Sequence, residues 1–584
     1  MKKITFRRNQ DSQFREFNPD SISRRELLRD AAATAAGLAA SSAIPLGARG
    51  ASTDSAAPKL EYRNTLIVAS NENAIVETSA GKVRGFTRNG IRTFLGIPYA
   101  GTTEGKARYA PPAKVNPWAR LRSSMQYGLV SPQEPRAGWA NDEVAWMFDW
   151  DDGRPGEDCL RVNLWSPGVN DNKRRPVMVW LHGGGFSAGS GQELKSYYGE
   201  NLSRRGDVVV VSLNHRLGVL GYLNLAEIGG ERYADSANLG MLDIVAALEW
   251  VRDNIANFGG DPGNVMIFGQ SGGGGKVDAL MAMPAAKGLF HRAAVESGSL
   301  LDASNPEDSA KLGAAVLEQL GISPAEIDKI QEVPVDKLIS AGIAGVRSLA
   351  PPFQAGGAFR LPRIGWQPTV DGKNLPTQPC DPVAPAMSAQ IPLLVGTVLN
   401  EFSTALYDTK LATLTNDELK ERVAAQYKDK ADHIIEVFRA AHPNETPGDL
   451  MSRISAAPVR QSAITQATRQ AALGGAPVHM YWFCWKTPVL DGRPGAFHCS
   501  ELSFVFDNTD RCAPMTGGGP GPRALAAKVS EAWINLARRG DPNHPGLPKW
   551  PAFTAADKAV MIFDNTCEAK NDPDREERQV LGIA

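Results

Sequence analysis

The sequence of 584 residues has no surplus of either charge and contains few cysteines. Its 63 Lys and Arg residues nearly balance its 64 Asp and Glu residues, giving a formal net charge of -1. Without a basic excess the composition does not favour nucleic acid as a partner, and without an acidic excess it does not favour disorder. The six cysteines include no CxxC pair and are too sparse for a disulfide scaffold. We therefore expect a globular protein that binds neither nucleic acid nor a structural metal.

Long apolar runs are also missing, and the longest uncharged stretch near the N-terminus, residues 31–48, is alanine-rich and only mildly apolar. It is too weakly hydrophobic to predict a membrane span. The preceding Ser23-Arg24-Arg25-Glu26-Leu27-Leu28 resembles a bacterial twin-arginine export signal. We expect an export signal over 1–50, cleavage between about Ala48 and Ala57, a flexible lead-in over 51–74 and a periplasmic or secreted mature protein. The alternative is an alanine-rich helix of a soluble protein.

The remainder alternates short apolar runs with longer segments of helical periodicity. Strands are predicted over 176–181, 207–213, 265–268, 292–295 and 391–395, and helices over 238–257 and 272–283. This order is typical of an α/β protein with a mostly parallel central sheet and helices on both faces. We expect one catalytic domain over 75–584, with helical cap insertions near 301–368 and 416–473 above the sheet.

Gly269-Gln270-Ser271-Gly272-Gly273 matches the pattern G-x-S-x-G. It follows a predicted strand and opens a predicted helix, which is the setting of a nucleophile elbow. The alternative, a glycine-rich phosphate-binding turn, is disfavoured because Lys276 is not followed by a hydroxyl residue. Ser271 is therefore a candidate nucleophile.

His182-Gly183-Gly184-Gly185-Phe186 follows the predicted strand over 176–181. It matches the HGGG-type motif whose backbone N–H groups bind the oxyanion in acyl transfer, and it lies upstream of the serine as that chemistry requires. We expect Gly184, Gly185 and Gly272 to supply the N–H groups. The alternative for this motif on its own is a tight strand-to-loop turn, which its order relative to the serine motif disfavours.

With these motifs the chain resembles the type-B carboxylesterase (cholinesterase-like) family of α/β hydrolases, and bacterial carboxylesterases most of all. The resemblance extends from about Ile75 to the C-terminus. Its landmarks occur in family order: FLGIPYA, EDCLRVNLW, HGGGF, FGGDPGNVMIFGQSGGG, ESG, VDG, GTVLNE, GAFHCSEL and ARRGDPN. The resemblance implies an α/β-hydrolase fold.

The resemblance also implies a catalytic triad of Ser271, Glu401 and His498, in the chain order of α/β hydrolases. His498 would be the general base and Glu401 would orient it. Without the resemblance, a structural hydrogen bond would be the default role of a lone histidine. Asp371 and Glu501 are rival acids, but Asp371 fits a turn and Glu501 lies one helical turn beyond His498.

Three positions depart from the family pattern. Gly272 stands where relatives often have alanine, and it still supplies an N–H group. Gln270 replaces the glutamate of cholinesterases, which removes a negative charge and disfavours a cationic choline ester. Cys159 matches a cysteine that is often bridged, but its partner position is Ser131, so we do not expect that bridge.

The leading hypothesis is hydrolysis of a small-molecule carboxylic ester through an acyl-serine intermediate, with no metal or organic cofactor. Alternatives are an amide, carbamate or polyester hydrolase of the same family, or a binding module that lacks catalysis. The export machinery would be the partner of the precursor, and no stable membrane insertion is expected after signal removal. The expected substrate-pocket residues, for which ordinary core packing is the alternative, are Phe186, Phe353, Phe359 and Trp366.

Overall fold

A computed structural model describes residues 66–135, 141–349 and 364–583 of the chain. The chain divides into two compact units, Met1–Arg63 and Asn64–Ala584, and every described residue belongs to the second. The twin-arginine motif, Phe353 and Phe359 lie outside the described residues. Within the described part, no helix combines the length and the apolar character needed to cross a membrane.

The strands of the described residues fall into two sheets. In chain order they are β1 (Ile67–Val68), β2 (Ile75–Thr78), β3 (Gly81–Arg84), β4 (Phe86–Arg88), β5 (Ile91–Pro98), β6 (Arg122–Ser123), β7 (Arg161–Ser166), β8 (Arg175–Leu181), β9 (Val209–Leu213), β10 (Gly260–Gln270), β11 (Arg292–Glu296), β12 (Leu393–Val398), β13 (Val478–Phe483), β14 (Ala559–Phe563) and β15 (Glu568–Asn571).

The larger sheet has 12 strands in the order β1-β4-β5-β7-β9-β8-β10-β11-β12-β13-β14-β15, and the smaller has the order β2-β3-β6. From β9 to β14 every neighbouring pair in the larger sheet is parallel. The pairs outside this run are antiparallel. The predicted α/β class with a mostly parallel sheet is therefore confirmed.

The α-helices connect and cover these strands. They are α1 (Asp142–Phe148), α2 (Glu200–Gly206), α3 (Gly218–Gly221), α4 (Ala226–Gly229), α5 (Leu239–Asn254), α6 (Gly272–Ala282), α7 (Pro306–Leu320), α8 (Val335–Leu349), α9 (Asn416–Tyr427), α10 (Ala431–Ala441), α11 (Pro447–Ala471), α12 (Leu502–Val505), α13 (Ala513–Thr516), α14 (Pro520–Arg539) and α15 (Arg575–Val580).

Alternate residues of the central strands enter two separate apolar cores. In β8, Val177 and Val179 pack in one core with α5, α6 and part of α11, whereas Met178 and Trp180 pack in the other with α12 and α14. Successive side chains of a strand point to opposite faces of the sheet, so each core covers one face. Covering on both faces explains why these strands are almost continuously apolar.

Two further apolar clusters involve the helical blocks predicted as insertions. One contains residues of α7 and α8, and the other contains residues of α9, α10 and α11. An amphipathic helix needs such a cluster because it must bury its apolar stripe against a neighbour. The assignment of these blocks as a cap stays a prediction.

Candidate active site

The candidate residues follow the carboxyl ends of strands in the parallel part of the sheet. His182 follows β8 directly, Ser271 follows β10 directly, Glu401 comes shortly after β12, and His498 lies in the segment after β13. Carboxyl ends of parallel strands share one edge of a sheet, which is where α/β proteins bind ligands. The topology therefore brings these distant positions of the chain to the same edge.

Ser271 occupies the sharp turn between β10 and α6. Its φ of 56° and ψ of -127° are unfavourable for a residue with a Cβ, and its N–H donates to the Glu296 carbonyl oxygen at 2.8 Å. A Cβ placed on Gly298 would lie 2.0 Å from the Ser271 carbonyl oxygen, so the turn also needs a glycine opposite it. Among the described residues the Ser271 hydroxyl forms no hydrogen bond, and it is available to a ligand.

Glu401 and His498 form a buried pair. The His498 Nδ1 lies 2.5 Å from Glu401 Oε2, and the two side chains are 5% and 3% exposed. Their backbones are also bridged, because the His498 N–H donates to the Glu401 carbonyl oxygen at 3.0 Å. The Phe402 ring stacks on the imidazole with centroids 3.9 Å apart. These contacts fix both the position and the tautomer of the imidazole.

The second oxygen of Glu401 is held by donors that sequence reasoning missed. Oε1 accepts from the Ser297 hydroxyl at 2.8 Å and from the Val398 N–H at 3.1 Å. Ser297 is the hydroxyl residue of the ESG landmark directly after β11, and its place in that landmark was the only signal of its role. The carboxylate is consequently anchored on one side and engaged with His498 on the other.

The Gln270 side chain forms a hydrogen bond with the other nitrogen of the His498 imidazole. Gln270 Nε2 lies 3.0 Å from His498 Nε2, and the Cys499 thiol donates to Gln270 Oε1 at 3.0 Å. With Nδ1 donating to Glu401, Nε2 of the neutral ring is an acceptor, so the amide NH₂ group donates to it. The neutral residue at this position therefore caps the nitrogen that would receive a proton.

The N–H groups of Gly184, Gly185 and Gly272 have no acceptor among the described residues. The Gly183 carbonyl oxygen lies 3.0 Å from His182 Nδ1, and the Gly184 carbonyl oxygen accepts from Ser187 and Ala188. In a trans peptide the N–H points away from the C=O, so the N–H groups of Gly184 and Gly185 face away from these partners. They are open to a ligand.

The loop over 182–186 lies directly on the first turn of α6. A Cβ on Gly272 would come within 2.1 Å of the Gly185 carbonyl oxygen and 2.4 Å of its Cα. Side chains do not approach backbone so closely, and the departure to glycine at position 272 therefore permits this contact between loop and helix. The N-terminus of α6 adds its positive dipole end at the same place.

A cluster of buried titratable groups lies behind this loop. The rings of His182 and His215 stack with centroids 4.9 Å apart, and burial lowers the pKa of both. Burial raises the pKa of Glu193 to about 8 and lowers that of Lys276 to about 7. Sequence reasoning treated Lys276 only as evidence against a phosphate-binding turn.

Neither rival acid forms a hydrogen bond with His498 among the described residues. Asp371 Oδ1 accepts the backbone N–H groups of Lys373, Asn374 and Leu375, as a turn-forming aspartate does. Glu501 is fully buried, neither of its carboxyl oxygens has a hydrogen-bond partner in the described part of the chain, and burial raises its pKa well above the usual value. Glu401 is the acid that contacts His498.

The expected pocket residues differ in their surroundings. Phe186 is only 2% exposed, and its ring packs edge-on against Tyr222. Trp366 is half-buried beside Gly218, whose N–H donates to the Phe186 carbonyl oxygen. Contact of either residue with substrate stays a prediction, as it does for Phe353 and Phe359. No group of three or more His, Cys, Asp or Glu side chains in the described residues is arranged to hold a metal ion.

Comparison with known proteins matches this chain to one family over nearly its whole length. The model of the carboxylesterase family matches residues 72–581. The para-nitrobenzyl esterase of Bacillus subtilis is 36% identical over 520 residues, covering 87% of this chain and 98% of that protein. The phenmedipham hydrolase of Pseudarthrobacter oxydans is 32% identical over 512 residues, covering 85% and 97%.

Solved structures agree with these matches. An esterase from Clostridium hathewayi that can hydrolyse aliphatic aromatic polyesters superposes with a TM-score of 0.76 at 36% identity, covering 89% of this chain and 99% of that one. A carboxylesterase from Geobacillus stearothermophilus superposes with a TM-score of 0.71 at 35% identity, covering 87% and 99%. The α/β-hydrolase fold that the sequence predicted is thereby confirmed. The chain belongs to the carboxylesterase family and is a carboxylic ester hydrolase.

Proposed function

We propose that the protein hydrolyses carboxylic esters through an acyl intermediate on Ser271, with His498 as general base and Glu401 as the acid that orients it. The observation that carries the proposal is the buried contact between His498 Nδ1 and Glu401 Oε2 at 2.5 Å. An anchored carboxylate stabilises the imidazolium that forms when the ring accepts a proton. The pair lies at the sheet edge that also bears the strained Ser271.

In the first half of the reaction the Ser271 oxygen attacks the ester carbonyl and its proton passes to His498 Nε2. The Gln270 amide gives up its hydrogen bond to that nitrogen when the serine hydroxyl donates instead. The imidazolium then returns the proton to the leaving alcohol, and an acyl-serine remains. Water, activated by the same nitrogen, releases the acid in the second half.

The oxyanion of each tetrahedral intermediate would be bound by the N–H groups of Gly184, Gly185 and Gly272. Their lack of acceptors among the described residues supports this role. Donors that are already oriented need no reorganisation when charge develops on the oxygen, and one such donor contributes roughly 3 kcal/mol to transition-state stability.

Labelling with a fluorophosphonate tests the proposal, because this reagent bonds to an activated serine. We expect one phosphonyl group per chain, located by peptide mass spectrometry on Ser271, and no labelling after heat denaturation. Absence of labelling in folded protein would favour a binding module. Labelling at another serine would move the reaction away from this site.

A second candidate substrate class is polyester, favoured by the similarity to the Clostridium hathewayi esterase. The same acyl-serine chemistry applies, since only the acyl and alcohol groups differ. Release of soluble acid from an aliphatic aromatic polyester film, compared with release of p-nitrophenol from acetate and butyrate esters, separates the two classes. A higher specific activity on the polyester film would favour polyesters as the substrate class, and a higher specific activity on the p-nitrophenyl esters would favour small esters.

Replacing Ser297 by alanine is expected to lower kcat/KM roughly tenfold. The change removes one of the two donors to Glu401 Oε1, and a hydrogen bond to a charged group is worth about 1.5 kcal/mol or more. Steady-state hydrolysis of p-nitrophenyl butyrate measures the effect. Ser299→Ala is the matched control, because the Ser299 hydroxyl has no partner within the described residues. Equal rates in both variants would contradict the role of Ser297.

We also propose export of the folded enzyme by the twin-arginine route, supported by Arg24 and Arg25 before the mildly apolar stretch. Replacing both arginines by lysines is expected to leave the precursor in the cytoplasm, because the route reads the arginine pair and not charge alone. Immunoblots of cytoplasmic and periplasmic fractions measure the distribution. Unchanged export of the variant would contradict the proposal.

A further inference from the structure

Lys276 is a fully buried lysine in the first turns of α6. Its Nζ donates to the His182 carbonyl oxygen at 2.9 Å and to the Gly185 carbonyl oxygen at 2.7 Å. The same nitrogen lies 5.2 Å from the centre of the Phe186 ring. Within the described residues it forms no ion pair with a carboxylate. Its contacts are thus with both ends of one segment, the loop over 182–186.

Burying an ammonium group without a paired carboxylate is costly, and burial accordingly lowers the pKa of Lys276 to about 7. An apolar side chain of similar length would avoid this cost, but it would leave the Gly185 carbonyl oxygen unsatisfied. No other donor to that oxygen is found in the described part of the chain. The Lys276 side chain therefore stabilises the conformation of the loop over 182–186, in addition to packing within α6.

The two hydrogen bonds from Lys276 orient the peptide groups of the loop over 182–186. They turn the carbonyl groups of His182 and Gly185 towards α6, at either end of the peptide units that carry the N–H groups of Gly184 and Gly185. Gly185 itself has a φ of 61°, a left-handed conformation with several competing alternatives for glycine. Holding its carbonyl oxygen removes those alternatives.

We propose that Lys276 is a positioning residue of the ester hydrolase, whose side-chain nitrogen holds the loop over 182–186 with its N–H groups directed at the oxyanion. The inference rests on the proposed function of that loop. It assigns a role in the transition state to a residue that contacts neither substrate nor reacting atoms. Loss of this nitrogen would loosen the oxyanion donors while leaving the Glu401–His498 pair in place.

Lys276→Met tests the proposal because it keeps the length of the side chain and removes the donors. We expect kcat for p-nitrophenyl butyrate to fall roughly 10- to 100-fold, less than the full loss of an oxyanion donor, while KM stays within about threefold of wild type. The inhibition constant of a trifluoromethyl ketone, which forms a tetrahedral adduct with a charged oxygen, should rise by the same factor as kcat/KM falls. Lys276→Gln, which keeps one amide donor, should give an intermediate kcat.

Lys287→Met is the matched control, since Lys287 is an exposed lysine shortly after the end of α6. A wild-type kcat in folded Lys276→Met, with or without a lower Tm, would overturn the proposal, and so would a rise in KM alone. Failure of both Lys276 variants to fold would assign the lysine to folding and also overturn it. Failure of the wild-type protein to be labelled at Ser271 would instead refute the proposed function.

Discussion

Ser271→Ala is expected to reduce ester hydrolysis by roughly 10⁴- to 10⁶-fold in kcat, the range found when the nucleophile of a serine hydrolase is removed. The reason is that the proposed mechanism forms the acyl bond on the Ser271 oxygen, and alanine provides no nucleophile at the turn after β10. A residual rate above that of water is expected, since the proposed oxyanion donors remain. Release of p-nitrophenol at saturating ester measures the effect.

The fold should tolerate this change. The Ser271 hydroxyl forms no hydrogen bond among the described residues, and alanine meets the same strain as serine at a φ of 56°. Tm is therefore expected to stay within a few degrees of wild type. Ser340→Ala is a matched control, because the Ser340 hydroxyl is exposed and its one hydrogen bond among the described residues goes to the Asp336 carbonyl oxygen within α8. Hydrolysis by Ser271→Ala at more than about a hundredth of the wild-type rate would place the nucleophile elsewhere.

The central sheet was predictable because its strands are buried on both faces. The strand predicted over 265–268 lies inside β10, and the helix predicted over 238–257 contains α5. Continuous apolar runs and a period of 3.6 residues carry this information locally. The beginning of β10 was missed because Gly260 to Asn264 is polar and glycine-rich, and it joins the sheet only through pairing with β8.

Two parts of the candidate site were predictable from the chain itself. Ser271 and the loop over 182–186 directly follow strands, so local motifs and their order were enough to single them out. Glu401 and His498 came from the family resemblance, because they are separated by almost a hundred residues and only the order of the strands brings them together. Spacing alone left Asp371 and Glu501 as alternatives.

The remaining contacts could not be predicted from the sequence, because they depend on the positions of the polar atoms at the ends of the side chains. The Gln270 amide reaches His498 Nε2, and the Ser297 hydroxyl reaches Glu401 Oε1, across neighbouring strand ends. Lys276 reaches the loop at a place where Gly272 lets the loop lie against α6. No periodicity of the sequence reports such distances. The burial of Phe186 likewise could not be predicted from its place next to the glycine motif.

Glu401→Gln is expected to lower kcat roughly 10⁴-fold, because the anchoring of this side chain forces the imidazole into the wrong tautomer. Oε1 of Glu401 accepts from the Ser297 hydroxyl and the Val398 N–H, so the oxygen of a glutamine must stay at that position. Its NH₂ group is then directed at His498 Nδ1, which has to become an acceptor. The proton moves to Nε2, and that nitrogen can no longer take the proton of Ser271.

Pre-steady-state release of p-nitrophenol separates this effect from a folding defect, since a slow acylation step lowers the burst rate without lowering Tm. Glu296→Gln is the matched control, because Glu296 ends the central strand β11, is fully buried, and its carboxyl group accepts one hydrogen bond among the described residues, from the Trp533 Nε1–H. Burial raises the pKa of Glu296 to about 8, so this carboxyl is mostly protonated at pH 7 and its replacement by a neutral amide changes little. A burst rate in Glu401→Gln within about tenfold of the control would mean that the tautomer of His498 does not depend on Glu401, and the orienting acid would have to be sought elsewhere.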